Sequence, residues 1–200
     1  MLELIGTLKS RSFRPAWLLE ELGLPYTHRD LPPRSEAVHA VNPSGKIPVL
    51  LTEEGTPLTD STAILTWLSD REGRFSCPPG STARARQDAI THFLLDELDA
   101  CLWTAARHSF VLPEERRLPA IKDSLRWEYD RGLERLSRIL SDGRAFLAGD
   151  TLTVPDIIAV HCGNWAHAAG FAPGDDVIAA YMSRLRQRPA YRAVAVRMAG

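Results

Sequence analysis

Two serines in a hydroxyl-rich stretch near the N-terminus are the first candidates for chemistry. Ser10 and Ser12 lie directly before the stretch 13–22, whose apolar residues have helical spacing. Free N–H groups and a partial positive charge gather at a helix N-terminus, so a hydroxyl placed there can donate a hydrogen bond to an anion. Arg11 and Arg14 add positive charge, with salt bridges as their alternative role. Ser12 is also a good candidate for the N-cap of the helix.

A second candidate is a backbone edge rather than a side chain. Pro48 lies near the start of a strand-like run at 47–51, which follows a turn that begins at Asn42. Proline cannot donate to a strand ladder, so it belongs at a strand start, an edge or a bulge. The backbone of Ile47 is then free to pair with a peptide-like ligand. An ordinary edge strand entered through a proline turn explains the same pattern.

A third candidate is the start of a helix that is predicted to run from Asp60 and Ser61 to about Arg71. The free N–H groups of such a helix start bind carboxylates and phosphates. The alternative is that Ser61 serves only as the N-cap.

The elements that position these candidates alternate in type along the first 73 residues. The predicted order is βαβαββα, with strands at 2–5, 26–30, 47–51 and 56–58 and helices at 13–22, 35–41 and 60–71. The first strand–helix–strand unit predicts a parallel pair of strands, and a hairpin turn at 53–55 predicts an antiparallel pair. A stretch at 74–80 that contains proline and glycine predicts a linker.

The second half of the chain has a different pattern, with no convincing strand after residue 81. Helices are predicted at 82–108, 120–141, 154–168 and 176–188, with a short one from Pro189. Thr153 with Asp156 three residues later is the signature of a capping box. The sequence therefore predicts an α/β domain at 1–73 and an all-α domain at 81–200.

Composition limits the classes of function. The net charge is −1 and the hydrophobic fraction is 44%, which is typical of a soluble globular protein and gives no electrostatic reason to expect nucleic acid or an anionic membrane as partner. The sequence shows no signal peptide and no apolar run of about 18 residues, so we expect a cytoplasmic protein outside the membrane.

Cysteine and histidine spacing gives no sign of a metal site. Cys77, Cys101 and Cys162 are odd in number and widely spaced, which argues against a disulfide framework or a thiolate metal site. His161 and His167 share one helix without an evident third ligand, so no metal is expected.

Four stretches give the chain its resemblance to a known family, namely 14–26, 42–50, 58–64 and 147–158. In this order and spacing they resemble the cytosolic glutathione transferase superfamily over essentially the whole chain. The resemblance implies a thioredoxin-like N-terminal domain, a helical C-terminal domain and glutathione as co-substrate. It also implies a homodimer whose surface comes from the helices that begin at Ser61 and Thr82.

The resemblance assigns glutathione binding to Lys46, Ile47, Pro48, Asp60 and Ser61. Ile47–Pro48 matches the cis-proline of the family, which would present the Ile47 N–H and C=O to the cysteinyl part of glutathione. Ser61 and the helix amides would hold the γ-glutamyl carboxylate, Asp60 the ammonium and Lys46 the glycyl carboxylate. Many relatives carry Glu or Gln in place of Asp60, and Lys46 has the alternative of a solvated turn lysine.

The catalytic residue of this family lies in the first loop, where it stabilises the glutathione thiolate. A thiol pKa of about 8.5 leaves only a small fraction ionised at neutral pH. Ser10 is our first choice as hydrogen-bond donor to the thiolate and Ser12 our second. The serine of several serine-type classes falls at or beside Lys9. No Tyr or Cys lies in the loop, which disfavours the tyrosine-type and cysteine-dependent classes.

The second substrate would be a small hydrophobic electrophile. The resemblance places it where the two domains meet, against Leu8, Phe13, Trp103 and Arg107. The predicted reaction is conjugation of glutathione to an electrophilic carbon.

Two alternatives to conjugation remain open. One is a glutathione-dependent isomerase of the maleylacetoacetate type, although that type has a Ser-Ser-Cys run where this chain has Lys9, Ser10 and Arg11. The other is a binding protein that keeps the fold without catalysis.

Overall fold

A computed structural model describes residues 1–199 of the chain. The chain forms two compact units. The first comprises Met1–Pro79 together with the segment from Leu185 onward, and the second comprises Gly80–Arg184.

The first unit has the predicted order βαβαββα. Its elements are β1 (Leu2–Ile5), α1 (Phe13–Leu22), β2 (Tyr26–Arg29), α2 (Glu36–Val41), β3 (Val49–Leu51), β4 (Pro57–Thr59) and α3 (Ser61–Glu72). The strand order is β2-β1-β3-β4, with β1 parallel to β2, and with β3 antiparallel to both β1 and β4. The thioredoxin-like fold and both strand pairings are confirmed. Strand β3 begins at Val49 rather than at residue 47, since Pro48 has no N–H to donate.

Helix α1 is buried along most of its length and ends at Gly23, which adopts a left-handed φ of 70°. The predicted N-cap position of Ser12 is confirmed, but the Ser12 hydroxyl bonds no helix amide. An N-cap side chain reaches the helix amides from an extended backbone, whereas Ser12 is already helical, with φ −63° and ψ −21°.

The second unit is helical. Its helices are α4 (Thr82–Phe93), α5 (Ala100–Ala106), α6 (Ile121–Leu140), α7 (Val154–Ala168) and most of α8 (Asp176–Arg186). The single helix predicted at 82–108 is interrupted by a π-helical turn at Leu94–Asp99 and followed by another at Arg107–Val111. A Cβ on Gly132 of α6 would lie 2.6 Å from Leu98 Cδ2, so this glycine lets α6 approach the first π turn closely.

A buried carboxylate at the start of α7 ties the second unit together. Asp156 accepts hydrogen bonds from the Thr153 N–H (2.8 Å), the Thr153 hydroxyl (2.9 Å), the Leu147 N–H (2.8 Å) and the Tyr181 hydroxyl (2.7 Å). The predicted capping box of Thr153 and Asp156 is present. Burial raises the pKa of Asp156, and the four donors act in the opposite direction.

The last helix, α9 (Pro189–Ala199), belongs to the first unit and packs along α1. The observed units therefore differ from the predicted helical domain of 81–200 at its C-terminal end. The physical reason is an aromatic contact, because Tyr191 of α9 packs against both Phe13 and Trp17 of α1. Over residues 1–199, no helix combines the length and apolar character that crossing a membrane requires.

Candidate functional site

The first component of the candidate site is a short backbone edge. The Ile47–Pro48 peptide bond is cis, and Ile47 lies just outside the ladder of β3. Within residues 1–199, no backbone hydrogen bond involves the Ile47 N–H or C=O. An extended peptide can pair with such an edge.

The turn before Ile47 begins at Asn42, as predicted, and the Asn42 side chain organises it. The buried Asn42 side chain donates to the Lys46 carbonyl at 2.8 Å and accepts from the Ser44 hydroxyl at 2.9 Å. The Gly45 N–H donates to the Asn42 carbonyl, also at 2.8 Å. These bonds fix the backbone that leads into Ile47. The Lys46 side chain is exposed at the end of this turn.

The second component is the start of α3. Asp60 is the N-cap, and its Oδ1 accepts from the Thr62 and Ala63 amides at 2.8 and 3.1 Å. These two amides are therefore already bonded, contrary to the expectation that the helix amides as a group would bind a ligand. The Ser61 N–H has no acceptor among residues 1–199 and remains for that role. Asp60 adopts a left-handed φ of 69°.

Ser61 itself is buried and contacts a buried guanidinium. Arg14 Nη1 donates to Ser61 Oγ at 3.3 Å. Arginine has only donors, so Ser61 Oγ must be the acceptor in this bond. The Ser61 hydroxyl proton is then left to donate to a ligand such as a carboxylate.

The third component is the pair of serines in the first loop. Ser10 Oγ lies 2.6 Å from the Thr7 carbonyl, to which it donates, and it accepts from the Ser12 N–H at 3.1 Å. The two serine hydroxyls lie 3.1 Å apart. Ser10 is half-buried, whereas Ser12 has no exposed surface. Of the two, Ser10 is the one that a ligand can reach.

Gly6 brings the loop and the backbone edge together. A Cβ at this position would lie 2.4 Å from Ser12 Oγ and 2.8 Å from Ile47 Cβ. Both contacts are closer than a real Cβ allows, so only glycine permits Ser12 and Ile47 to adjoin the same backbone position. The φ of Gly6 is +130°, which also favours glycine.

The residues predicted to line the electrophile pocket come from both units. In the first unit, Leu8 and Phe13 are 5% and 2% exposed and present little surface to a ligand. In the second unit, Trp103 is half-buried on α5, and Arg107 Nη2 donates to Thr104 Oγ1 at 2.9 Å. The electrophile pocket stays a prediction.

Comparison with known families shows which family the chain belongs to. Residues 10–71 match the family described as glutathione S-transferase, N-terminal domain, and residues 100–189 match glutathione S-transferase, C-terminal domain. The chain belongs to the glutathione S-transferase family. The candidate site lies in the unit that contains the match to the N-terminal domain.

Individual relatives agree with this membership. The glutathione S-transferase GstA of Escherichia coli O157:H7 is 29% identical over 153 residues, which cover 75% of this chain and 72% of GstA. The structure of a sphingomonad glutathione S-transferase complexed with glutathione has a TM-score of 0.83 and 25% identity, and the match covers 98% of both chains. A probable elongation factor 1-gamma 2 from Arabidopsis thaliana is 35% identical over 127 residues, which cover 60% of this chain but only 28% of that protein.

The structure brings the predicted residues of this glutathione S-transferase family member together at two places. Gly6 joins Ser12 to Ile47, and Arg14 joins α1 to Ser61. The close approach at Gly6 and the side-chain bonds of Asn42 were not predicted from the sequence. The signals available were a glycine directly after a strand and an Asn-Pro turn. No three His, Cys, Asp or Glu side chains within the described residues form a group that could hold a metal ion.

Proposed function

We propose that this chain is a glutathione transferase that conjugates the thiolate of glutathione to a small hydrophobic electrophile. The observation that carries the proposal is the presence in one unit of an unpaired backbone edge at Ile47 and of a Ser61 hydroxyl that accepts from Arg14 and keeps its proton for a ligand. An extended tripeptide with a carboxylate at one end needs both features at once.

Each part of glutathione then has a partner in the first unit. The cysteinyl backbone pairs with Ile47, next to Pro48, and the γ-glutamyl carboxylate accepts from the Ser61 hydroxyl and N–H. Asp60 Oδ1 caps α3, so the ammonium would contact the other oxygen of that carboxylate, Oδ2. The exposed Lys46 meets the glycyl carboxylate by charge attraction.

Ser10 is the proposed partner of the thiolate, with Ser12 as its support. The Ser12 N–H already donates to Ser10 Oγ, which orients the Ser10 hydroxyl. When the thiolate is present, the Ser10 proton turns from the Thr7 carbonyl to the sulfur. A hydrogen bond to the charged form of the thiol lowers its pKa and raises the fraction of thiolate.

Binding and turnover test this proposal together. We expect the wild type to bind immobilised glutathione and to convert 1-chloro-2,4-dinitrobenzene. Ser10→Ala should retain glutathione binding but lower kcat/KM by about 10- to 100-fold, which corresponds to the loss of one charge-assisted hydrogen bond. Ser124→Ala, on the exposed face of α6, is the control and should retain full activity. Full activity in Ser10→Ala would overturn the catalytic role of Ser10.

A non-catalytic glutathione-binding protein is the second candidate. It is favoured by the similarity to a probable elongation factor 1-gamma and by the engagement of the Ser10 hydroxyl with Thr7. Binding of glutathione without turnover of a broad panel of electrophiles would support this candidate over the transferase.

The proposal also includes a homodimer, with α3 and α4 in its surface. Gel filtration with light scattering measures the mass directly. A mass of about 22.2 kDa, that of one chain, would contradict the dimer.

A further inference from the structure

Three aromatic rings hold the start of α1 against the C-terminal helix α9. The Tyr191 ring centroid lies 5.2 Å from that of Phe13 and 5.1 Å from that of Trp17, with interplanar angles of 61° and 81°. Edge-to-face pairs of this kind fix the orientation of the rings as well as burying area. Phe13 and Trp17 are both buried, so Tyr191 closes this cluster from the α9 side.

Charged contacts extend the attachment along α1. Glu21 accepts from Trp17 Nε1 at 2.9 Å and from the Arg188 guanidinium at 2.5 and 2.8 Å. Only 8% of the Glu21 side chain is exposed, so its carboxylate is largely shielded from water in this bidentate pair. One residue earlier, Glu20 pairs with Arg197 at 2.8 Å.

These contacts lie on one face of α1. The candidate functional site is formed by residues that are next to the contact residues in the sequence. Phe13 lies between Ser12, whose N–H holds the Ser10 hydroxyl, and Arg14, which bonds Ser61. A shift of the first turn of α1 would therefore move the serine pair and the guanidinium together.

We propose that α9 is a working part of the glutathione-binding unit, and that Tyr191 is the positioning residue that holds the first turn of α1 in register with Ile47 and Ser61. The choice of glutathione as the ligand rests on the proposed function. The effect of Tyr191 on the loop can be measured without any ligand. In this proposal Tyr191 acts through its ring contact with Phe13.

Three variants of the full chain test the proposal. Tyr191→Ala removes the ring, Tyr191→Phe keeps the ring without the hydroxyl, and Arg192→Ala changes the exposed neighbour on the same helix. Two quantities are measured under conditions where every variant is folded. They are the amide hydrogen exchange of residues 7–16 and the Kd for glutathione by calorimetry.

If the Tyr191 ring positions α1, the variants should differ in a specific pattern. In Tyr191→Ala, the amides at 10–14 and 16 should exchange about tenfold faster and the Kd for glutathione should rise about tenfold, whereas the KM for the electrophile stays unchanged. Arg192→Ala should match the wild type in each measurement, and Tyr191→Phe, which keeps the ring, should stay closer to the wild type than Tyr191→Ala does. A residue that only supports overall stability would lower the melting temperature without changing the Kd of the folded protein.

Several results would overturn the proposal. Unchanged exchange at 10–14 and 16 in Tyr191→Ala would do so, as would an equal rise in Kd for Arg192→Ala or Tyr191→Phe. If the wild type binds no glutathione, the proposed function fails, and the exchange measurement still decides whether Tyr191 holds the loop. Should Tyr191→Ala not fold, Tyr191→Leu keeps apolar bulk without the ring geometry and should show the same faster exchange.

Discussion

Arg14 Nη1 lies 3.3 Å from Ser61 Oγ and joins the first turn of α1 to the first residue of α3. Because the guanidinium can only donate, this bond leaves the Ser61 proton for a ligand. If that proton binds the γ-glutamyl carboxylate, Arg14 and Ser61 act through the same hydroxyl. Their contributions to glutathione binding should then be coupled rather than independent.

A double-mutant cycle tests this coupling. We expect Ser61→Ala and Arg14→Lys each to raise the Kd for glutathione by roughly tenfold, as the loss of a hydrogen bond to a charged group does. The Kd of the double variant should be no higher than that of the single variant that binds glutathione more weakly. Arg29→Lys, at an exposed position on β2, is the matched control and should bind normally. Additive losses would show that Arg14 does not act through Ser61.

Gly6 is predicted to tolerate no side chain. Gly6→Ala places a Cβ 2.4 Å from Ser12 Oγ at a backbone φ of +130°. Strain and overpacking should together lower the free energy of unfolding by about 2–6 kcal/mol. Gly55→Ala is the control, because Gly55 also has a positive φ of 81° but no atom within 4 Å of its added Cβ. Equal losses of stability in urea unfolding would refute the packing argument.

Asp156→Asn should destabilise the second unit. An amide can replace one carboxylate oxygen as acceptor, but its NH₂ group then faces donors among Thr153, Leu147 and Tyr181. We expect the free energy of unfolding to fall by about 3 kcal/mol, since buried donors lose their acceptor. Asp130→Asn changes an exposed carboxylate on α6 and should be nearly neutral. A loss below about 0.5 kcal/mol for Asp156→Asn, within the range of ordinary surface substitutions, would contradict the network.

Burial of Asp156 also predicts a pH dependence. Burial raises the pKa of this carboxyl, so the folded chain keeps the proton to a higher pH than the unfolded chain does. Stability falls with pH wherever the folded state binds more protons. The contribution of Asp156 is therefore fully present below the unfolded pKa of about 3.9 and declines as the pH rises toward the folded value.

Unfolding free energies of the wild type and of Asp156→Asn, measured from about pH 4.5 to 8, test the direction of this pH dependence. The difference in unfolding free energy by which the wild type exceeds the variant should become smaller as the pH rises. A widening advantage would mean that the four donors outweigh burial.

The order of elements in the first unit could be predicted because each element has its own local signal. Helix α1 has apolar spacing and a glycine stop, and β3 follows a proline turn. The long helix after residue 81 was harder to predict. A helical wheel assumes 3.6 residues per turn, whereas the π turn at Leu94–Asp99 shifts the phase of every later residue, Trp103 and Arg107 included.

The candidate site could be predicted only where a single residue type in a local sequence pattern indicates its role. Pro48 and Ser61 stand in recognisable local patterns. The donation from Arg14 to Ser61 spans 47 residues, and the pairing of Tyr191 with Phe13 joins opposite ends of the chain. No local spacing encodes either contact, because each depends on which helices pack together. The absence of a capping bond from the Ser12 hydroxyl could not be predicted, because the backbone conformation of Ser12 cannot be read from its residue type.

The position of α9 sets the order in which the protein can be completed on the ribosome. Synthesis runs from the N-terminus, so the helix that covers Phe13 and Trp17 emerges only after all of Gly80–Arg184 has been made. At translation rates of about 5–20 residues per second, this delay is on the order of 5–20 s. During that time the apolar face of α1 is without its native cover. A chaperone that binds nascent chains would bind this apolar face of α1. The period ends when Tyr191 leaves the exit tunnel and can pack on Phe13 and Trp17.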